Sequence, residues 1–259
     1  MLENKAFYFN TSRKIVIAFG NLFNNLSISR LDSNDNKVKD IKVPLAFAPK
    51  NKYLVRLNKE LNDPAIQTTF PRISFELLDI NYDPGRQISP LNRKLVKNIS
   101  NSNVILRQLN PTPFNFGFSL DIYAKHTDDA LQIIEQILPY FSPSFNVSII
   151  DIPLMNITRD IPITLEGTTP NDNYEGDFND ELRRINWTLN FVAKGYLYLP
   201  IKDTNVIKNI YINFLRTSDA SNKNPEDLLE QLGLSVNPSS AFLDDIWTVD
   251  TTITPGVNT

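Results

Sequence analysis

Hydrophobic and polar positions along this chain change period at a few sharp points, and the clearest lie between Asn110 and Ile150. Phe114, Phe116, Phe118, Leu120 and Ile122 alternate with Asn115, Gly117, Ser119, Asp121 and Tyr123, the period of two of a strand with one face on a core. The period then becomes helical. Thr127 or Asp128 suits a helix cap, and Asp128 and Asp129 place negative charge at the positive end of the helix dipole. Ala130, Leu131, Ile133, Ile134, Ile137 and Leu138 form the apolar face, with Leu131, Ile134 and Leu138 expected against the sheet. Pro139 marks the exit into a second apolar run, Phe145 to Ile150.

Upstream, Asn10-Thr11-Ser12 opens a helix over about Ser12 to Asn24, with Ile15, Phe19, Leu22 and Phe23 on one face. Strands are expected near Leu26–Leu31, Val38–Ala48 and Arg72–Tyr82, and a short helix near Lys52–Leu61. The stretch from Asp83 to Ser102, with its Pro84-Gly85 and Ser89-Pro90 signals, reads as a long excursion of the kind that contacts partners. Downstream, Ile161–Glu166 and Arg184–Phe191 read as strands around an acidic loop, Thr168–Asp180, followed by strands at Gly195–Leu199 and Val206–Phe214.

Strands and helices do not alternate regularly, so the expected class is α+β: a mixed or mainly antiparallel sheet covered by a few helices. Residues 1–216 form the expected core domain and 217–259 a C-terminal arm. In the arm, Asn224-Pro225-Glu226-Asp227 suits a helix start, Leu228, Leu229 and Leu232 its apolar face, and Gly233 its stop. Phe242 to Trp247 make a second apolar patch between polar stretches. The arm docks either on another surface or back on its own core.

The punctuation of these segments resembles a known family. Asn110 to Pro113 (Asn-Pro-x-Pro), Asp128-Asp129 and the run Gln132 to Phe145 appear in the same order as in the tail completion and sheath-stabilising proteins of T-even-like contractile phages. Tyr8-Phe9-Asn10, Gly20-Asn21-Leu22-Phe23, Val43 to Ala46, Pro71-Arg72-Ile73 and Arg183 to Trp187 fall in line with them, so the resemblance covers roughly residues 7 to 215 and stops near Thr217. It implies a tail terminator: a hexameric ring of this chain that caps the tail tube and the last sheath ring. The ring would end elongation, hold the extended sheath, and offer neck or head-completion proteins a docking surface. Phage DNA would pass through the lumen without sequence recognition, and the site would be the head-proximal end of the tail in the virion, after synthesis in the host cytoplasm. Two other readings stand beside it: a tail-associated hydrolase using acidic residues, and a monomeric neck adaptor.

Composition narrows the chemistry. The 259 residues include no cysteine, one histidine and 8 glycines. That removes disulfides, thiolate nucleophiles and cysteine metal sites, and one histidine does not supply the histidine sets of catalytic zinc. His126, at a strand end beside a helix cap, has no Gly-x-Ser-x-Gly elbow to accompany it. Neither a Gly-x-Gly-x-x-Gly nor a Walker loop is present. The segment Asn171 to Asp177 spaces oxygen ligands like a calcium loop, but the twelfth position is Leu182 rather than Glu. No catalytic residue, cofactor or metal is therefore expected. Asp172, Glu175 and Asp177 are read as solvated or partner-facing, and with Leu228, Leu229, Leu232, Phe242 and Trp247 they make up the candidate partner contacts. Arg183-Arg184 beside Trp187 is no stacking platform, because alternation sends Trp187 to the side of Ile185 and Leu189. No apolar run reaches the ~18 residues of a bilayer span, and Met1 to Asn10 lacks a signal core, so no membrane partner is expected.

Charge adds one feature. The net charge is −3, yet residues 1–110 carry 17 Lys plus Arg against 9 Asp plus Glu, and residues 111–259 carry 9 against 20. A split of this kind either steers copies of the chain together or reflects solvated surfaces of one fold.

Overall fold

The computed structural model of the chain describes residues 6–31, 37–53, 70–98, 101, 104–172, 185–216, 228–241 and 245–255. Its centre is the alternating segment identified above, a strand running Thr112–Ala124. In chain order the elements are α1 (Thr11–Leu22), β1 (Ser27–Leu31), β2 (Lys37–Lys42), β3 (Leu45–Phe47), β4 (Arg72–Tyr82), β5 (Arg93–Lys97), β6 (Val104–Leu109), β7 (Thr112–Ala124) and α2 (Thr127–Ile137). They continue with β8 (Ser144–Ile152), β9 (Ile157–Asp172), β10 (Ile185–Leu197), β11 (Lys202–Asn205), β12 (Asn209–Leu215), β13 (Leu228–Asn237) and β14 (Thr248–Pro255). This is the expected α+β class, mainly strand with a few helices.

The chain divides into two compact units, one of residues 1–88 and 111–198, the other of residues 89–110 and 199–259. The first holds a six-stranded sheet in the order β3-β4-β7-β10-β9-β8, antiparallel except for the β3/β4 pair, and the β1-β2 hairpin. The second holds two three-stranded antiparallel sheets, β11-β6-β5 and β12-β13-β14.

In the six-stranded sheet the register puts Ile73, Ile122, Phe75, Leu120 and Leu189 on one face. That face, with α1 and α2 on it, is the main core. Phe19 of α1 is its hub: its ring stacks on Phe118 at 4.3 Å and 7° and meets Phe23, Phe75 and Phe191 at 5.0 to 5.6 Å. The helix comes this close because glycines lie at the contact. A Cβ on Gly20 would stand 2.7 Å from the Phe75 ring, and one on Gly195 2.7 Å from both Ile15 and Phe116. Asn10 caps α1 in the left-handed conformation (φ 60°) without a side-chain bond, which a short polar residue tolerates.

The opposite face is polar, and along β7 from Gly117 to Tyr123 it is buried as well. Asp121 is fully buried and accepts hydrogen bonds from Ser119 Oγ (2.9 Å) and Thr188 Oγ1 (2.6 Å), with Lys50 Nζ at 3.4 Å. Tyr123 lies beside it, paired with Ser74 Oγ at 3.2 Å, and burial pushes its phenol pKa up. A strand pattern reports which side chains share a face but not whether that face is covered, so this layer was invisible in the sequence.

A second buried polar group sits at the sheet edge. Tyr198 donates to Asp151 Oδ2 (2.8 Å) and accepts from Arg159 Nε (2.6 Å), while Lys14 of α1 donates to the carbonyls of Ile150 and Asp151. Burial raises the Asp151 pKa, against the opposing effect of the Tyr198 bond and of the Arg159 and Lys14 charges.

Several expected elements are corrected. Leu131 and Leu138 are exposed; the buried side chains of α2 are Asp129, Ala130, Ile133, Ile134 and Ile137, because the stripe lies one residue further round the helix. The cap of α2 is His126, not Thr127 or Asp128. Pro44, which lacks a backbone donor, divides the single strand expected at Val38–Ala48 into β2 and β3. Residues 83–102 contain β5, a paired strand. Residues 168–172, taken as loop, belong to β9 and pair with β10, and Gly195–Leu197 is the end of β10 rather than a new strand. Residues 228–232, expected to be helical, are strand: β13 pairs with both β12 and β14, and tertiary pairing outweighs the local leucine spacing. The polar stretch 251–255 is strand too, since β-branched threonines favour it. The helix expected at Lys52–Leu61 is helical over residues 50–53, and the remainder lies outside the described residues.

Two measurements check this account. Ile133→Ala should lower the unfolding free energy by about 2–5 kcal/mol and Leu131→Ala by no more than about 0.5, read by urea denaturation; equal losses would put the buried stripe elsewhere. Because the folded state holds the Asp151 proton above its unfolded pKa, that contribution is full at low pH and is lost as pH rises through the raised value. The thermal midpoint of Asp151→Asn should therefore gain on the native chain as pH increases from about 4, and a pH-independent gap between the two would contradict the burial effect.

Candidate functional site: surfaces for assembly

The run Gln132 to Phe145 builds two features at once. Its glutamines close the outer edge of the hairpin: Gln132 Oε1 accepts from Ser29 N (3.0 Å), and Gln136 Nε2 donates to Ser27 O (2.8 Å). Both are backbone groups of β1 that the ladder to β2 leaves free, so side-chain amides do the work of a third strand. Asp129, in the first turn of α2, is buried and takes a two-pronged contact from Arg30, Nη1 to Oδ1 and Nη2 to Oδ2, the latter at 2.9 Å.

The other side of the same run lines an apolar groove of about 540 Å³. Pro139, Tyr140, Phe141 and Phe145 meet Leu22 and Phe23 there, with Glu135 also in the lining. Two segments that carry the family resemblance, Gly20 to Phe23 and Gln132 to Phe145, thus converge on one surface feature.

Elsewhere in the same unit, the guanidinium groups of Arg86 and Arg159 lie 5.1 and 4.5 Å from the Tyr196 ring, a cation–π cluster. Arg86 is also held by Asp83, whose carboxyl is kept below its ordinary pKa chiefly by that hydrogen bond.

The candidate contact residues fall in different places. Asp172 closes β9, opposite Ile185. Glu175, Asp177 and Phe242 lie outside the described residues. Leu228 and Leu232 are half-buried in β13, whereas Leu229 is exposed. Trp247, just before β14, is half exposed. His126 is an exposed helix cap. Among the described residues no group of three or more His, Cys, Asp or Glu side chains is placed to hold a metal ion, and no helix is long and apolar enough to cross a membrane.

What the sequence reading missed is the shape of the β12-β13-β14 sheet. The register aligns Ile210, Leu234 and Thr251, then Ile212, Leu232 and Ile253, on one face, and Tyr211, Gly233 and Thr252 on the other. One face is apolar and the other is mostly polar. The alternation Val249, Thr251, Ile253 was a legible signal for it.

Comparison with known proteins bears on what these surfaces serve. The chain is 34% identical over 268 aligned positions to the tail completion protein gp15 of Enterobacteria phage T4, a match covering 97% of this chain and 94% of that protein. A sheath/tube terminator of an extracellular contractile injection system, solved in its extended state, is similar at 7% identity and a TM-score of 0.31, over 96% of this chain and 85% of that one. The assignment rests on the sequence matches, the second being the model of the T4-like Myoviridae tail sheath stabiliser, matched over residues 6–255. By these matches the chain belongs to the tail sheath stabiliser family of T4-like phages, a family of structural, non-enzymatic components of the virion tail.

Proposed function

We propose that this chain ends the contractile tail as a closed homo-oligomeric ring, hexameric to match a six-fold tube. In this reading the ring seats on the last layer of tube protein and touches the terminal sheath subunits. Its far side meets neck or head-completion proteins. The observation that carries the proposal is the family match over residues 6–255, nearly the whole chain, together with the T4 relative whose name is tail completion protein. The mechanism is geometrical. A ring bound to the last tube layer leaves no surface for another, which fixes length, and its contacts to the outer subunits hold the extended sheath against early relaxation. DNA passes through the lumen, where strong cationic traps would hinder it.

Leu229 and Trp247, both about half exposed, and the acidic stretch of Asp172, Glu175 and Asp177 are assigned to contacts with neighbouring tail proteins. Between copies, the Lys/Arg-rich residues 1–110 of one chain face the acid-rich residues 111–259 of the next. A ring needs heterologous faces, and opposite charges on those faces favour that register over face-to-face pairing.

Electron microscopy of intact tails should show a ring of this chain at the head-proximal end, and its absence would remove the central claim. Light scattering across a salt series tests the charge register. Ring association should slow between low salt and a few tenths molar, where screening acts over about 10 Å or less. A rate that stays flat or rises would assign the charge split to solvated surfaces.

A further inference from the structure

We propose that the apolar face of the β12-β13-β14 sheet is the surface on which the terminal sheath subunits dock, an inference that rests on the sheath-stabilising role proposed above. The face is built by register. Ile210, Ile212 and Phe214 of β12 alternate with Tyr211 and Asn213, and the ladder continues each row through Leu234 and Leu232 of β13 to Thr251 and Ile253 of β14. A buried sheet face would hide these side chains, but Ile210 is 49% exposed, Ile212 41%, Phe214 49%, Val249 52% and Ile253 64%.

These five side chains present about 450 Å² of apolar surface, at or above the few hundred Å² at which an exposed patch marks an interaction site. Among the described residues, the charges aligned with the face lie at its ends: Glu230, opposite Phe214 and Pro255, and Lys208, opposite Val236, whose Nζ donates to Ser239 O. The partner it fits is therefore an uncharged, apolar layer, such as a second sheet or the apolar stripe of a helix, rather than an acidic or basic surface.

Area decides between a second copy and the sheath. Two copies paired through this face would bury about 900 Å² in all, short of the ~1,200 Å² of a stable interface. A two-fold pairing would also join two chains in opposed directions, whereas a tail end has one direction. A face too small to hold a free dimer works where its partner is fixed in an array, because contacts made side by side add through effective concentration. The end of an extended sheath is such an array. Docking through this face is expected to be indifferent to salt, unlike ring association.

The test adds the purified full-length protein while sheath assembles on tails made without this chain, and reads its co-sedimentation with the extended sheath. Ile210→Lys and Ile253→Lys place a charge on the face at exposed positions; Tyr211→Lys, 66% exposed on the opposite face, is the control. Both isoleucine variants should bind at least tenfold more weakly with unchanged circular dichroism and midpoint, Tyr211→Lys should bind within twofold of the native chain, and native binding should hold from low to moderate salt. Isoleucine variants that bind like the native chain overturn the proposal. So do variants that change only self-association, which would give the face to a second copy, and a fall in midpoint for both isoleucine variants beyond that of the control, which would show the chain's own residues covering it. A native chain that does not bind such tails at all defeats the terminator reading itself, so the two failures are distinct.

Discussion

The close approach of α1 to the six-stranded sheet is the constraint on which most of the first unit depends. Phe19 stacks on Phe118 at 4.3 Å only because Gly20 and Gly195 leave room for the helix to settle. Four aromatic neighbours around one ring supply dispersion and quadrupole contacts that a looser helix would forfeit. The position of α1 then sets the position of its last turn, where Leu22 and Phe23 form one wall of the groove shared with Pro139, Tyr140 and Phe141. A core requirement and a surface feature are thus fixed by the same few residues.

The two faces of the sheet are stabilised differently. On the α1 side the core is apolar and rich in phenylalanine. On the other, Asp121 is held by Thr188, Ser119 and Lys50, and an isolated buried carboxylate would be costly without those donors. For a family that acts by assembly, a sheet whose central strand β7 is buried on both faces fits a rigid body. The β12-β13-β14 sheet differs from it in having one apolar face still open to solvent.

Much of this was legible in the sequence where one face of an element meets a core. The period of two in Phe114 to Tyr123, the helical turn at Asp128-Asp129 and the strand Arg72–Tyr82 all follow from local alternation and dipole chemistry, and they stand in the structure as β7, α2 and β4. Trp187 likewise packs against the core, as its parity required. The failures have physical causes. Leu228, Leu229 and Leu232 have helical spacing, but their segment is paired on both sides, and ladder hydrogen bonds decide. Thr251 and Thr252 look like loop residues when threonine is counted as polar rather than β-branched. The buried layer around Asp121 depends on Lys50, 71 positions away in the chain, and no local pattern announces it. At the candidate site, the order of the motifs revealed the family, while what they build, closure of the β1 edge and the lining of a groove, appears only in the folded chain.

The ties between α2 and the hairpin also define a path for mechanical load. A pull on β1 is carried by the Ser27 and Ser29 backbone to Gln136 and Gln132, and by Arg30 to Asp129, into a helix whose neighbouring stripe, Ile133 and Ile137, is buried in the core. Three polar links strained together resist far better than the same links opened one after another. The hairpin therefore moves with the body as a lever, and a tug on it reaches the six strands before it can peel the hairpin away.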